Sequence, residues 1–225
     1  KGYTFVFWVA RNIWASFILF CCGFYSKIRF AKPLSTGTSY VLVANHTSYI
    51  DPFLMLRVSK NPFVFVGKKE LVKIPIFGYL YKRAAIMVDR SDRKSRWAVY
   101  DRANQKLALG YSICIFPEVS YEEDTVFLND FKRGAFKIAI EHQLPVVPMV
   151  FFDCKRKQPW YPRFGYPGEL RVQTYPEILP PKTIEELEVL LVASRKVIDK
   201  GLRDDPKGHQ FEAVALEKAI VKAAS

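Results

Sequence analysis

Apolar and polar positions along this chain alternate in short blocks. Apolar or period-two runs at Tyr40–Ala44, Phe63–Val66, Ala85–Val88, Ser112–Phe116, Val146–Phe152 and Glu169–Thr174 are mostly too short for helices. They are rich in Val, Ile and Phe, so they predict strands. Between them lie amphipathic stretches that predict helices. Pro52–Lys60 opens on proline at a favourable first position. Asp92–Leu109 has Ser91 as its N-cap and Gly110 just past its end. Lys132–His142 and Ile184–Lys200 follow, the latter with Thr183 and Glu186 as a capping box and Gly201 as its stop. A last helix over about His209–Ala224 reads as peripheral. Strands separated by helices of this length predict an α/β fold, a mainly parallel mixed sheet flanked by helices.

The first thirty residues follow a different pattern. Tyr3–Tyr25 is apolar and aromatic, broken by Arg11 and Asn12. Its uncharged part, Ile13–Tyr25, is shorter than the ~20 residues of an ordinary membrane span. Tyr3, Phe5, Phe7 and Trp8 crowd its start, as interfacial segments do and core helices rarely do. The segment is read as a membrane-surface helical element. Lys32-Pro33 and the run Ser35-Thr36-Gly37-Thr38-Ser39 mark a turn after it. Residues 1–30 are therefore assigned as a membrane-associating segment and 31–225 as the α/β unit.

Composition narrows the partners. The chain has 225 residues and a formal net charge of +12, with half of it apolar. That excludes a disordered tail and allows one sizeable core. The charge suits nucleic acid, an anionic membrane face or a phosphate-bearing substrate. No zinc-finger or RNP-type pattern accompanies the basic residues, so nucleic acid is not expected as a partner. Cys21, Cys22, Cys114 and Cys154 have no metal-ligand spacing, so no metal is expected and a reducing compartment is inferred. Cys114, inside an apolar strand, is expected to be buried and inert. The run Lys155-Arg156-Lys157 is expected to be solvated or to face anionic lipid.

The candidate chemistry begins at Asn45–Asp51, directly after an apolar strand, where loops of α/β folds carry function. His46 and Asp51 are five apart, and on a regular helix they would point about 140° from each other. They meet only if His46 lies on a turn and Asp51 at a helix entrance, and Asp51 before Pro52 is an N-cap type. Asp51 would then bond one imidazole nitrogen and fix the tautomer, leaving the other nitrogen as a general base. An exposed histidine beside a capping aspartate fits the same spacing equally well.

A second segment, Ser112–Tyr121, runs from an apolar strand into Phe116-Pro117-Glu118. Taken together, these segments resemble the glycerolipid acyltransferase family, whose type member acylates lysophosphatidic acid. Asn45-His46-Thr47-Ser48-Tyr49-Ile50-Asp51 matches its N-H-x4-D motif and Phe116-Pro117-Glu118 the start of its F-P-E-G-T-R motif. Leu144–Pro148 matches the late apolar motif ending in proline. Val66–Leu71, Ile86–Arg90 and Phe131–Ala135 look like the family's intervening blocks. The likeness spans about residues 40–150.

The resemblance implies transfer of a fatty acyl group from an acyl-CoA or acyl carrier protein thioester to a lysophospholipid hydroxyl. With lysophosphatidic acid as acceptor, the product is phosphatidic acid. His46 would be the base and Asp51 its stabiliser, and no bound cofactor is needed. Asn45 or nearby backbone N–H groups would serve the oxyanion. The enzyme would be membrane-associated, with its site facing the cytoplasm.

After Phe-Pro-Glu the family has Gly-Thr-Arg, and this chain has Val119-Ser120-Tyr121. Tyrosine makes no charged bidentate contact with phosphate. Either Lys68, Lys69, Arg90, Lys132 or Arg133 holds the acceptor's phosphate, or the acceptor lacks a terminal phosphate. Glu118 and Ser120 complete the substrate-binding candidates. A member that binds lipid or acyl carrier without turnover is the alternative.

Overall fold

A computed structural model of the chain describes residues 2–68, 85–88, 93–118, 128–159 and 165–208. The described strands are β1 (Phe24–Phe30), β2 (Val41–Ala44), β3 (Phe63–Lys68), β4 (Ala85–Val88), β5 (Ser112–Ile115), β6 (Val146–Phe151) and β7 (Gly168–Thr174). They form one sheet of order β1-β7-β6-β2-β5-β3-β4. Every pairing is parallel except β6 with β7, so β1 and β7 run against the other five. The described helices are α1 (Gly2–Cys21), α2 (Asp51–Val58), α3 (Arg93–Leu107), α4 (Gly134–Glu141), the short α5 (Cys154–Lys157) and α6 (Leu187–Arg203). This is the α/β fold that the pattern predicts.

β2 shows why an unbroken apolar run suits this place. It lies between β5 and β6 and is buried at all four positions. Val41 and Val43 point to a core shared with residues of α3, α4 and α6. Leu42 and Ala44 point to a second core with Phe7 and Leu19 of α1 and Leu54, Met55 and Val58 of α2. A strand covered on both faces has no polar side to alternate with. Three layers result, and the carboxyl ends of β2 and β5 open at one edge.

Several expected features differ. β1 is an edge strand within residues 1–30, paired in register with β7 from Phe24↔Gly168 to Phe30↔Thr174. Its half-solvated sequence, with Lys27 and Arg29 exposed, is typical of edges and shows only weak alternation. Thr183 has an extended backbone, but its side chain makes no cap bond, and a 3₁₀ turn (Ile184–Glu186) precedes α6. Gly201 is not a stop: it lies inside α6, buried, where a Cβ would run into the Tyr175 hydroxyl and a Val150 methyl. α3 ends at Leu107, two residues before the expected Leu109, and the turn that follows closes on Gly110, at φ 77° with its N–H bonded to the Leu107 carbonyl. The Ser91 cap and the helix over 209–224 lie outside the described residues.

Candidate active site

β2 ends at Ala44, and the chain turns through residues 45–50 into α2. Ile50 occupies the N-cap position, so Asp51 is the first helical residue, one place later than its cap role requires. Its carboxylate bends back onto the turn instead. Oδ2 accepts the Thr47 N–H at 2.7 Å, the Ser48 N–H at 2.9 Å and His46 Nδ1 at 2.9 Å. Asp51 is fully buried, whereas the His46 side chain keeps 20% of its exposure. With the carboxylate ionised, Nδ1 is the protonated nitrogen and Nε2 the acceptor. The imidazole stacks on Phe116, centroids 4.1 Å apart and planes 16° from parallel. Two side chains that spacing alone only allowed to meet are therefore held in one geometry.

Asn45 and Glu118 hold this turn from behind. Asn45 donates Nδ2–H to the Phe151 carbonyl at 3.0 Å and accepts the Phe151 N–H at Oδ1, 2.8 Å. Both ends of its amide are thus engaged with β6, which corrects the expectation that it faces substrate or an oxyanion. Glu118 accepts the His46 N–H at Oε1, 2.7 Å, and the Asn129 N–H at Oε2, 2.9 Å. It is 2% exposed, and burial pushes its carboxyl up against the pull of these N–H donors. Its contacts are to backbone, so it braces the turn and does not reach into a substrate space. Replacing Asn45 by alanine leaves the Phe151 N–H and C=O buried and unpaired, at about 1–3 kcal/mol each. The expected loss of about 2–6 kcal/mol is read as a lower midpoint in urea denaturation.

A further brace comes from α5. The Ser48 hydroxyl donates to the Gln158 carbonyl, and the buried Cys154 thiol lies against the Asp51 carboxylate. Burial first, then that carboxylate, pushes the thiol well up. α5 itself is fixed by Asp153, which takes Arg156, the Arg171 guanidinium and the Arg171 N–H; Arg171 also forks onto Asp205. Lys157 is buried, donating to the Pro167 carbonyl at 3.3 Å above the Tyr166 ring. The run Lys155-Arg156-Lys157 is therefore not a solvated face, because α5 is tucked against β7 and the segment before it. No local pattern announces this. Cys114, as expected, is buried, and burial raises its thiol too.

The remaining candidates separate. Lys132 is exposed, and its N–H bonds the Pro117 carbonyl at 2.9 Å. It borders a cavity of about 600 Å³ walled by Val66, Val88, Ile115, Phe116 and Ala135. Phe116 thus has one neighbour in the cavity and another in the His46 ring. Arg133 points elsewhere, in an exposed pair with Glu188 at 2.9 Å, because it lies where α4 begins beside α6. Lys68 is the last residue of β3, and its side chain lies outside the described part. Lys69, Arg90, Val119, Ser120 and Tyr121 lie outside the described residues.

α1 runs across the second core with one face inward. Phe7, Ala15 and Leu19 are buried, Phe7 packs edge-on against Phe63, and the Tyr3 hydroxyl donates to the Phe63 carbonyl at 2.7 Å. Its other face leaves Phe5, Trp8, Ile13, Phe17 and Phe20 exposed. The helix is long and apolar enough to cross a membrane by length and composition.

A histidine bonded to a buried aspartate at the carboxyl edge of a mainly parallel sheet, beside an apolar cavity, defines an α/β protein equipped for proton transfer next to an apolar ligand. Residues 26–152 match the family model described as Acyltransferase, and the chain belongs to that family. It is 33% identical over 136 residues to the 1-acyl-sn-glycerol-3-phosphate acyltransferase of Escherichia coli, covering 58% of this chain and 55% of that protein. The alpha form from Mus musculus is 30% identical over 172 residues, covering 73% and 57%. The enzyme of the same name from Chlamydomonas reinhardtii is 28% identical over 149 residues, covering 65% and 44%. The chain thus spans about half the length of these relatives. The crystal structure of the 1-acyl-sn-glycerophosphate (LPA) acyltransferase PlsC from Thermotoga maritima shares the fold, with a TM-score of 0.74 at 22% identity, over 91% of this chain and 81% of that one.

Proposed function

We propose that this protein transfers a fatty acyl group from an acyl thioester, on CoA or acyl carrier protein, to the free hydroxyl of a lysophospholipid. Lysophosphatidic acid is the acceptor we favour and phosphatidic acid its product, as the names of the relatives suggest. The observation that carries this reading is the 2.9 Å bond from His46 Nδ1 to the buried Asp51, which aims the opposite nitrogen away from the turn. Nε2 takes the hydroxyl proton as the oxygen attacks the thioester carbon. The imidazolium so formed is stabilised by the Asp51 carboxylate. Collapse of the tetrahedral intermediate breaks the carbon–sulfur bond, and the thiol leaves with the proton from Nε2. No protein nucleophile is required, since the acceptor alcohol attacks directly.

The cavity behind Phe116 has the size and apolar lining for a fatty tail, and Lys132 at its border supplies a cation for phosphate. The exposed aromatic face of α1 supports attachment of this helix to a bilayer, and a site facing the cytoplasm is part of the proposal on the family resemblance alone. The test is a screen of thiol release from acyl-CoA and acyl carrier protein thioesters across lysolipid acceptors, with products weighed by mass spectrometry. Phosphatidic acid formed with one thiol per product is expected. Release with a different lysolipid only would move the acceptor assignment. No release with any acceptor would favour a member that binds lipid without turnover.

A further inference from the structure

α1 carries one charge inside an otherwise apolar surface. Arg11 and Asn12 lie in a π-helical turn, Ala10–Trp14, in the middle of the helix. Widened turns of this kind recur at functional positions. Arg11 does not meet a carboxylate there. Its Nε–H donates to the Ser59 carbonyl at 2.9 Å and Nη1 to Asn12 Oδ1 at 2.7 Å. From α2, Arg57 donates Nη1–H to the Arg11 carbonyl at 2.9 Å. Two guanidiniums are thereby anchored along the seam of α1 and α2, and among the described residues neither forms an ion pair.

The Arg57 charge reaches the Arg11 guanidinium and, after burial, disfavours its charged form, and an anion near both relieves that repulsion. Each guanidinium has five N–H donors in a planar fork suited to phosphate oxygens, and the bonds above use only a minority of them. Trp8 and Ile13, one on either side of Arg11 along the chain, are 53% and 55% exposed. Exposed tryptophan marks the depth at which lipid headgroups lie. The pair is also distinct from the acceptor's place. Arg57 is six residues beyond Asp51 along α2, about 9 Å at 1.5 Å per residue, and on the side that meets α1. The bonds of the two guanidiniums go to Ser59, Asn12 and the Arg11 carbonyl, none of them part of the His46 turn.

We propose that Arg11 and Arg57 form a second phosphate-oxyanion site, which takes the headgroup of a bilayer lipid lying beside α1. This rests on the bilayer contact of α1 proposed above.

The test uses the full chain and two probes. In the first, the protein is co-sedimented with phosphatidylcholine vesicles containing phosphatidylglycerol. Arg57→Gln and Arg11→Gln are expected to weaken binding about tenfold, more than the ~5-fold that one generic surface cation contributes. Lys196→Gln, an equal charge change on the exposed face of α6 in the opposite layer, is expected to change it less than about twofold. In the second, thermal unfolding is followed in inorganic phosphate against chloride of equal ionic strength. A rise confined to proteins with both arginines, without any change in vesicle binding on mutation, would assign the site to free phosphate. Arg57→Lys keeps the charge and loses the fork, so it serves if Arg57→Gln does not fold, and an intermediate loss is expected. Wild type and all variants alike in both assays would overturn the site. A wild type that binds no vesicle and shows no phosphate effect would overturn both the site and the bilayer reading.

Discussion

Alanine at His46 is expected to reduce diacyl product formation by about 10²–10⁴-fold, the range supplied by a positioned general base. The side chain is partly exposed at the sheet edge, where it bonds Asp51 and stacks on Phe116. Its main-chain N–H, which Glu118 holds, is unaffected by the substitution. The fold should therefore persist, with its far-UV circular dichroism unchanged. The loss should fall on kcat with little change in KM for the thioester, because the proton moves only as the bond forms. A variant that retains wild-type kcat would remove His46 from the chemistry.

Asp51 should separate electrostatics from architecture. Oδ2 gathers three donors: the imidazole and two main-chain N–H groups. Asparagine presents an oxygen in the same place, so Asp51→Asn keeps the turn and the tautomer but removes the charge. Without that charge the partly exposed imidazolium loses the buried carboxylate it is bonded to, a cost of about 3–4 kcal/mol, or about 10²–10³-fold in kcat. Stability should change by less than about 2 kcal/mol. Asp51→Ala removes the acceptor as well and strands two N–H groups, so its stability should fall by about 2–5 kcal/mol. Urea melts and steady-state kinetics of both variants check this. Equal stability loss in the two would mean that the charge, and not the acceptor geometry, holds the turn.

The legible part of the site is its local part. An apolar run, a histidine, an aspartate five residues on and a following proline imply a strand, a turn and a helix entrance, and these are close in sequence. Asp51 stands one residue past the cap because its carboxylate serves the turn before the helix, not the helix itself. What could not be read is the bracing. Asn45 meets Phe151 across 106 residues, Glu118 meets the His46 backbone across 72, and Ser48 meets Gln158 across 110. Such partners leave no periodicity. Asn45 and Glu118 consequently read as substrate contacts from sequence, whereas their polar atoms are spent on main chain. β1 shows little alternation because it stands at the sheet's edge with most of its side chains in water, and Arg133 turns toward α6 because adjacency to Lys132 along the chain does not fix which way a helix start faces.

In the proposed reaction the acceptor hydroxyl, deprotonated by His46, attacks the thioester with no acyl-enzyme in between. Rapid mixing of enzyme with acyl thioester, with and without lysophosphatidate, tests it most directly, with thiol release followed in time and protein mass recorded on quenching. No thiol burst and no acylated protein are expected until the acceptor is added, then one thiol per diacyl product. A stoichiometric burst without acceptor, leaving an acyl group on the protein that later passes to the lysolipid, would contradict it.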